Sequence, residues 1–198
     1  MDKKTQRNPL LIIISSPSGA GKTSICRKII SLESKIKIST SVTTRVPRDN
    51  EVDGVDYYFI SNKDFQRKIK NNELIEYAEV FGNYYGTVHK NIEDSTKEGN
   101  DLIFDIDWQG AQQLVKSKYK NIITIFILPP SKDVIEKRLI KRQVESGDNK
   151  KTVQIRMSQY ETEISHQNEY DYIIVNDNFD KCIGKILKII EIERLKSS

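Results

Sequence analysis

An α/β fold built on a mostly parallel sheet flanked by helices is what this sequence predicts, and three observations carry it. Apolar runs of strand length alternate with segments of helical period. Two of the runs, Leu10–Ile14 and Ile122–Leu128, are almost continuously apolar, the pattern of strands covered on both faces. The first run enters a turn rich in Ser, Pro and Gly that opens directly into a helical pattern marked by Ile25, Ile29, Ile30 and Leu32. Strands joined through helices in this way run parallel.

The elements follow in order. After the first helix, Ile36–Val42 alternates apolar and small polar residues and predicts a strand. Thr43–Asp56 is a loop, Tyr57–Ile60 a short strand, and Ser61 caps a helix over Asn62–Lys70. Leu74–Phe81 and Tyr84–Val88 flank a Gly82-Asn83 turn as a hairpin. A helix over Asn91–Glu98 closes at Gly99. Asp101–Asp107 is an apolar strand ending in acid, followed by a helix over Trp108–Lys116. Pro129-Pro130 stops the strand Ile122–Leu128, and Ser131 caps a helix reaching Gln143. Val144–Lys151 is polar, contains Gly147, and is expected to be an exposed loop. Thr152–Gln167 is helical, Tyr172–Val175 a last strand, and Phe179–Leu195 a closing amphipathic helix. The tyrosine-rich stretch from Ile36 to His89 breaks the strand–helix rhythm and is expected to form its own substrate-holding lobe.

The 198 residues suffice for one domain with a sizeable core. The composition, 37 % apolar and 30 % charged, is that of a globular rather than a disordered chain. The net charge of +4 arises from 32 basic and 28 acidic residues that are interspersed, so neither nucleic acid nor membrane is an expected partner. Cys26 and Cys182 are expected to be buried free thiols. The polar start MDKKTQRNP lacks signal-peptide character and Leu10–Ile14 is too short to span a bilayer, so the expected location is cytoplasmic.

The chemistry begins at Ser16-Pro17-Ser18-Gly19-Ala20-Gly21-Lys22-Thr23-Ser24. Glycines at 19 and 21 let backbone N–H groups turn toward an anion, and the helix that begins there adds its positive end. Lys22 would supply a cation for outer phosphates, and the Thr23 hydroxyl is of the type that can ligate Mg²⁺. The strict pattern G-x-x-x-x-G-K-[ST] has Ser16 in place of its first glycine. The fold is thus of the P-loop NTPase type, with ligands expected beyond the carboxyl ends of the strands. Asp105, closing a strand there, is where a Mg²⁺-organising carboxylate is expected. Arg45 and Arg48 stand three apart on a proline-stiffened loop, and a guanidinium matches a phosphate bidentately at about 1.5–3 kcal/mol per charge-assisted bond. Tyr57 and Tyr85 lie on nearby short strands.

Taken in order and spacing, SPSGAGKTS, SVTTRVPRDNEVDGVDYYF, NNELIEYAEVFGNYYGT, IFDIDWQGA and YDYIIVND resemble the guanylate kinase family from about Leu10 to Leu195. The resemblance implies transfer of a phosphoryl group from ATP to GMP with Mg²⁺. It implies one domain over 1–198, with a core of about 8–35, 100–137 and 168–198, a GMP-binding lobe of about 36–89, and a lid of about 138–157. GMP binding falls to Ser41, Arg45, Arg48, Tyr57, Glu76, Tyr85, Thr87 and Asp107, and ATP binding to residues 16–24. Thr23 and Asp105 would hold Mg²⁺. Arg138, Arg142 and Arg156 would bring positive charge to the transferring group, with Lys22 and Arg45 completing the catalytic set. Glu76 as guanine reader agrees with the base: N1–H and N2–H₂ are two adjacent donors for one carboxylate, and adenine presents a lone pair instead.

Ser16, Lys141 (where glycine is common) and a lid segment 143–155 a few residues longer than usual depart from the family pattern. Two alternatives stay open on sequence: a non-catalytic interaction module resembling these kinases, and a related ribose-phosphate kinase. A P-loop GTPase lacks support, because no N-K-x-D-like segment is present. His89 and His166 receive no role. The oligomeric state, monomer or homodimer, and the use of dGMP as acceptor also stay open.

Overall fold

The structure, a computed structural model, describes residues 9–49, 51–146 and 150–196, with the side chains of 142–146 and 150–152 outside the description. Strands β1 (Leu11–Ser15), β2 (Ile36–Ile38), β7 (Asp101–Asp105), β8 (Ile122–Leu128) and β9 (Tyr172–Val175) form one sheet in the order β2-β7-β1-β8-β9. Every pairing in it is parallel. The central β1 is buried along its whole length, which is why its sequence is apolar without alternation.

Helices α1 (Lys22–Leu32), α3 (His89–Glu98), α4 (Trp108–Val115) and α7 (Phe179–Lys196) cover the two faces. Ile12 and Ile14 of β1 pack on one face with Ile25 and Ile29 of α1 and Ile183, Ile186 and Ile190 of α7. Leu11 and Ile13 face the other way, against Ile92 of α3 and Ala111 and Leu114 of α4. Full burial of side chains of this size contributes about 1.5–3 kcal/mol each before entropy. Cys26 and Cys182 are buried free thiols within the first of these layers.

A second sheet stands beside the first, in the order β4-β3-β6-β5, from β3 (Val42–Thr43), β4 (Tyr58–Phe59), β5 (Leu74–Val80) and β6 (Asn83–Val88). The strand expected over Ile36–Val42 is therefore two strands in two sheets, and Ser39-Thr40-Ser41 carries the chain between them. Alternation along 36–42 satisfies a half-buried strand in either sheet, so local pattern did not reveal the break. The hairpin turns at Phe81-Gly82, one residue earlier than expected, with both residues at positive φ (52° and 75°) and Val80 paired with Asn83. Helix α2 (Asn62–Lys70) begins where Ser61 accepts from the Asp64 amide, and its Phe65 stacks on Tyr84 to hold the helix on this sheet.

Helix α5 (Lys132–Ser146) extends past the expected end at Gln143, and α6 (Lys150–Ser165) begins two residues before the expected Thr152. The exposed loop expected over Val144–Lys151 is thus largely helical, because no breaker precedes Gly147. Ile135 and Leu139 of α5 meet Val153, Met157 and Tyr160 of α6, and both helices rest on Ala20. A short 3₁₀ turn, His166–Glu169, leads to β9. Among the described residues, no helix is long and apolar enough to cross a membrane.

Candidate active site

The carboxyl ends of β1 and β7 open into one cavity that the second sheet closes from the other side. The Ser16–Gly21 loop forms its floor. Gly19 and Gly21 sit at φ of +90° and +99°, and only glycine takes those angles without strain. These angles let α1 begin at Lys22 directly after the loop, and Lys22, Thr23 and Ser24 of its first turn line the cavity. Lys22 Nζ lies 3.0 Å from Asp105 Oδ1 and donates to the Ile106 carbonyl at 2.8 Å. Burial pulls the ammonium toward neutrality, but Asp105 overrides it and the Lys22 pKa stands above its ordinary value. Thr23 Oγ1 donates to the other Asp105 oxygen at 2.7 Å. A hydroxyl and a carboxylate converging at the end of β7 are hard oxygen donors of the type Mg²⁺ takes.

The opposite wall is cationic. Arg45 Nε donates to the Tyr85 hydroxyl at 3.2 Å, and its guanidinium lies 5.5 Å from the centre of the Tyr57 ring. Arg45 and Arg48 share the Glu51 carboxylate, through Nη2 at 2.8 Å and Nη1 at 3.2 Å, while the Arg48 amide donates to its other oxygen at 2.9 Å. Burial would push Glu51 up, yet the Arg45 bond and its neighbours hold its carboxyl below the ordinary value. Tyr57 is pushed up to about 12, chiefly by burial and then by the charge of Asp105. The phosphate-loop side and the arginine side are thus within electrostatic reach of one another.

Glu76 stands between them, 3 % exposed. It accepts from Thr87 Oγ1 at 2.6 Å. Burial first, and the charge of Asp107 second, push its carboxyl up to about 7 against the opposing Thr87 bond and Lys22 charge. Ser41 and Asp107 also line the cavity. Asp107 caps α4, accepting from the Gly110 amide at 3.0 Å and from Gln109 Nε2 at 3.0 Å.

The lid arginines differ in placement. Arg138 and Arg156 line the cavity; Arg138 Nη1 approaches the Ala20 carbonyl at 3.3 Å, and Arg156 Nη1 donates to Ser18 Oγ at 2.9 Å. Arg156 also lies over the Phe81 ring at 5.0 Å, so α6 meets both the loop and the hairpin turn. The Arg142 side chain lies outside the described residues. Two expected ligand residues face elsewhere. Ala20 is fully buried under α5 and α6, its amide donating to the Pro17 carbonyl at 3.1 Å and its carbonyl accepting from Arg138 and Asn176; Thr87 is fully buried behind Glu76.

The family described as guanylate kinase matches residues 8–193. The chain belongs to the guanylate kinase family. It is 45 % identical over 194 residues to the guanylate kinase of Rickettsia prowazekii (strain Madrid E), covering 98 % of this chain and 96 % of that one. With the guanylate kinase of Novosphingobium aromaticivorans it shares 46 % identity over 98 % of this chain and 87 % of the relative. The crystal structure of guanylate kinase from Anaplasma phagocytophilum superposes with a TM-score of 0.78 at 35 % identity, over 95 % of this chain and 87 % of that one. The doubly covered parallel sheet with its phosphate loop is the fold of that family.

Three further residues support the site through contacts that the sequence does not announce. Glu51 joins the two arginines, Glu163 accepts from the Ser18 amide at 3.0 Å, and Asn176 Nδ2 donates to the Ala20 carbonyl at 2.9 Å. Burial raises Glu163 above its ordinary value. The only sequence signal was for Glu51, which follows Arg48 by three residues. Glu163 and Asn176 act across 145 and 156 residues.

Proposed function

We propose that this enzyme transfers the γ-phosphoryl group of ATP to GMP in a Mg²⁺-dependent reaction that yields ADP and GDP and recycles a purine nucleotide in the cytoplasm. Family membership supports an ATP:GMP phosphotransferase in general terms. The observation that carries the finer reading is a single cavity with two facing cationic ends, Lys22 with the loop amides and Arg45 with Arg48, and a buried carboxyl at Glu76.

The assigned chemistry follows from position. Lys22 and the loop of residues 16–24, through the backbone N–H groups it leaves available (Pro17 carries none), hold the ATP phosphates, against the positive end of α1. Thr23 and Asp105 would hold Mg²⁺, which supplies charge neutralisation on the phosphates. Arg45, Arg48, Tyr57 and Tyr85 bind the phosphate of GMP, and Glu76 takes the two adjacent guanine N–H donors, with Ser41 and Asp107 beside it. Thr87 acts through Glu76 by fixing its carboxylate. Arg138, Arg142 and Arg156 neutralise charge on the transferring group. The acceptor phosphate is already anionic at neutral pH, so no side chain needs to serve as general base. Lid closure would keep water from competing as acceptor.

A nucleotide panel tests this directly. ADP release in a coupled assay with ATP and Mg²⁺ is expected for GMP, with AMP, CMP and UMP far slower. Equal rates with all four monophosphates would overturn the guanine assignment. GMP binding without turnover would indicate an interaction module.

A further inference from the structure

Gly110 sits in the first turn of α4, buried, with no positive φ. Nothing in its backbone conformation requires glycine, and a glycine costs a helix about 1 kcal/mol relative to alanine. The space it leaves explains its presence. A Cβ built on residue 110 would lie 2.4 Å from Glu76 Oε2 and 3.1 Å from Glu76 Cδ.

Neither partner has easy room to retreat. Helix α4 is held against β5 by Gln113, whose Oε1 accepts from the Tyr77 amide at 3.1 Å and whose Nε2 donates to the Tyr77 carbonyl at 2.7 Å. Its N-terminus is fixed by Asp107 through the Gly110 amide. On the far side, Trp108 stacks on His166 with ring centroids 3.6 Å apart. Glu76 is tethered to Thr87. Of these, the end of the Glu76 side chain is the softest.

We propose that Gly110 is a specificity-determining position for the acceptor base: its bare Cα lets the Glu76 carboxylate lie against the α4 backbone, in the orientation that meets guanine. This rests on the assignment of Glu76 as guanine reader. An alanine at 110 displaces the carboxylate without breaking the helix, so acceptor recognition fails while the ATP side stays intact.

The test is a cycle of Gly110→Ala, Glu76→Ala and the double variant, read by KM for GMP, KM for ATP, GMP-over-AMP preference and melting temperature. Gly110→Ala is expected to raise KM for GMP about tenfold or more and to erode base preference. KM for ATP should stay within about twofold, and any loss of melting temperature caused by the contact should be recovered in the double variant, where the Glu76 side chain no longer occupies the space. With Glu76→Ala, whose shortened side chain vacates the space, Gly110→Ala is expected to have no further effect. If Glu76→Ala leaves base preference unchanged, the guanine-reader assignment falls and this inference with it. If Glu76→Ala abolishes preference but Gly110→Ala leaves GMP kinetics within about twofold, or shifts ATP and GMP alike, this inference alone is overturned. Should Gly110→Ala fail to fold, a folded double variant supports the contact, and an unfolded one overturns it.

Discussion

Glu76 is held in an environment that opposes its own ionisation, and a titration consequence follows. Its carboxyl is raised from 4.5 to about 7, chiefly by burial. A raised folded-state pKa means that its contribution to stability is complete below about pH 4.5 and is lost as pH rises through about 7, an effect of about 3 kcal/mol. Guanine binding works in the opposite sense, because its two N–H donors require the carboxylate. KM for GMP is therefore expected to climb about tenfold per pH unit below about pH 7, with KM for ATP following less steeply. Glu76→Gln should flatten that difference in a pH series and raise stability in alkaline buffer. At the arginine end of the cavity, Arg45 binds Tyr85 and Glu51 and covers the Tyr57 ring. Arg45→Ala is expected to raise KM for GMP by about tenfold or more while KM for ATP moves little; steady-state kinetics with each substrate varied in turn would reveal equal effects if the assignment were wrong.

The phosphate loop shows how elements share the work of holding a shape that the chain would otherwise leave. Its glycines at positive φ give the path, but the path is fixed from outside by Asn176 on the Ala20 carbonyl and by Arg138 and α6 above. A Cβ at Gly21 would meet Asn176 Nδ2 at 3.1 Å as well as an unfavourable φ of +99°. Gly21→Ala should therefore cost about 1–3 kcal/mol of local strain, and is expected to raise KM for ATP about tenfold or more with a much smaller effect on GMP. Nucleotide titrations of the variant separate the two. The hairpin β5–β6 has a comparable economy: close packing at Gly86 places Glu76 and Thr87 side by side, and its turn carries Phe81 to Arg156.

For the molecule as a whole, the closing helix is tied to the sheet by charge as well as by Ile183, Ile186 and Ile190. Asp101, fully buried at the start of β7, accepts from the Leu10 amide and from Arg194 Nε at 2.8 Å each, and Arg194 also pairs with Glu33 at the end of α1. Arg194→Met should cost about 3 kcal/mol, because removing one partner leaves a buried carboxylate with less compensation. The midpoint of urea denaturation measures this, and Asp101→Asn in the same chain is expected to recover part of the loss. Activity per folded molecule should be unchanged, since the pair lies at the opposite end of the strands from the cavity.

Sequence alone determined the alternation of strands and helices, the parallel sheet, the phosphate loop, the caps at Ser61 and Gly99, and the family to which TTRVPR and GNYYGT belong. These are local properties: hydrophobic period, turn chemistry and capping are written within about ten residues of one another. Only the tertiary structure decided that Ile36–Val42 divides between two sheets, that Glu51 bridges the arginines, that Thr87 stands behind Glu76, and that Asn176 supports a loop 156 residues away. It alone gave Gly110 a reason, since a glycine that suits no turn is explained by the side chain crossing over it. Such partners are chosen by the packing of α4 against β5 and of β9 beside β8, and no pattern within either segment specifies which atoms of the other will meet it.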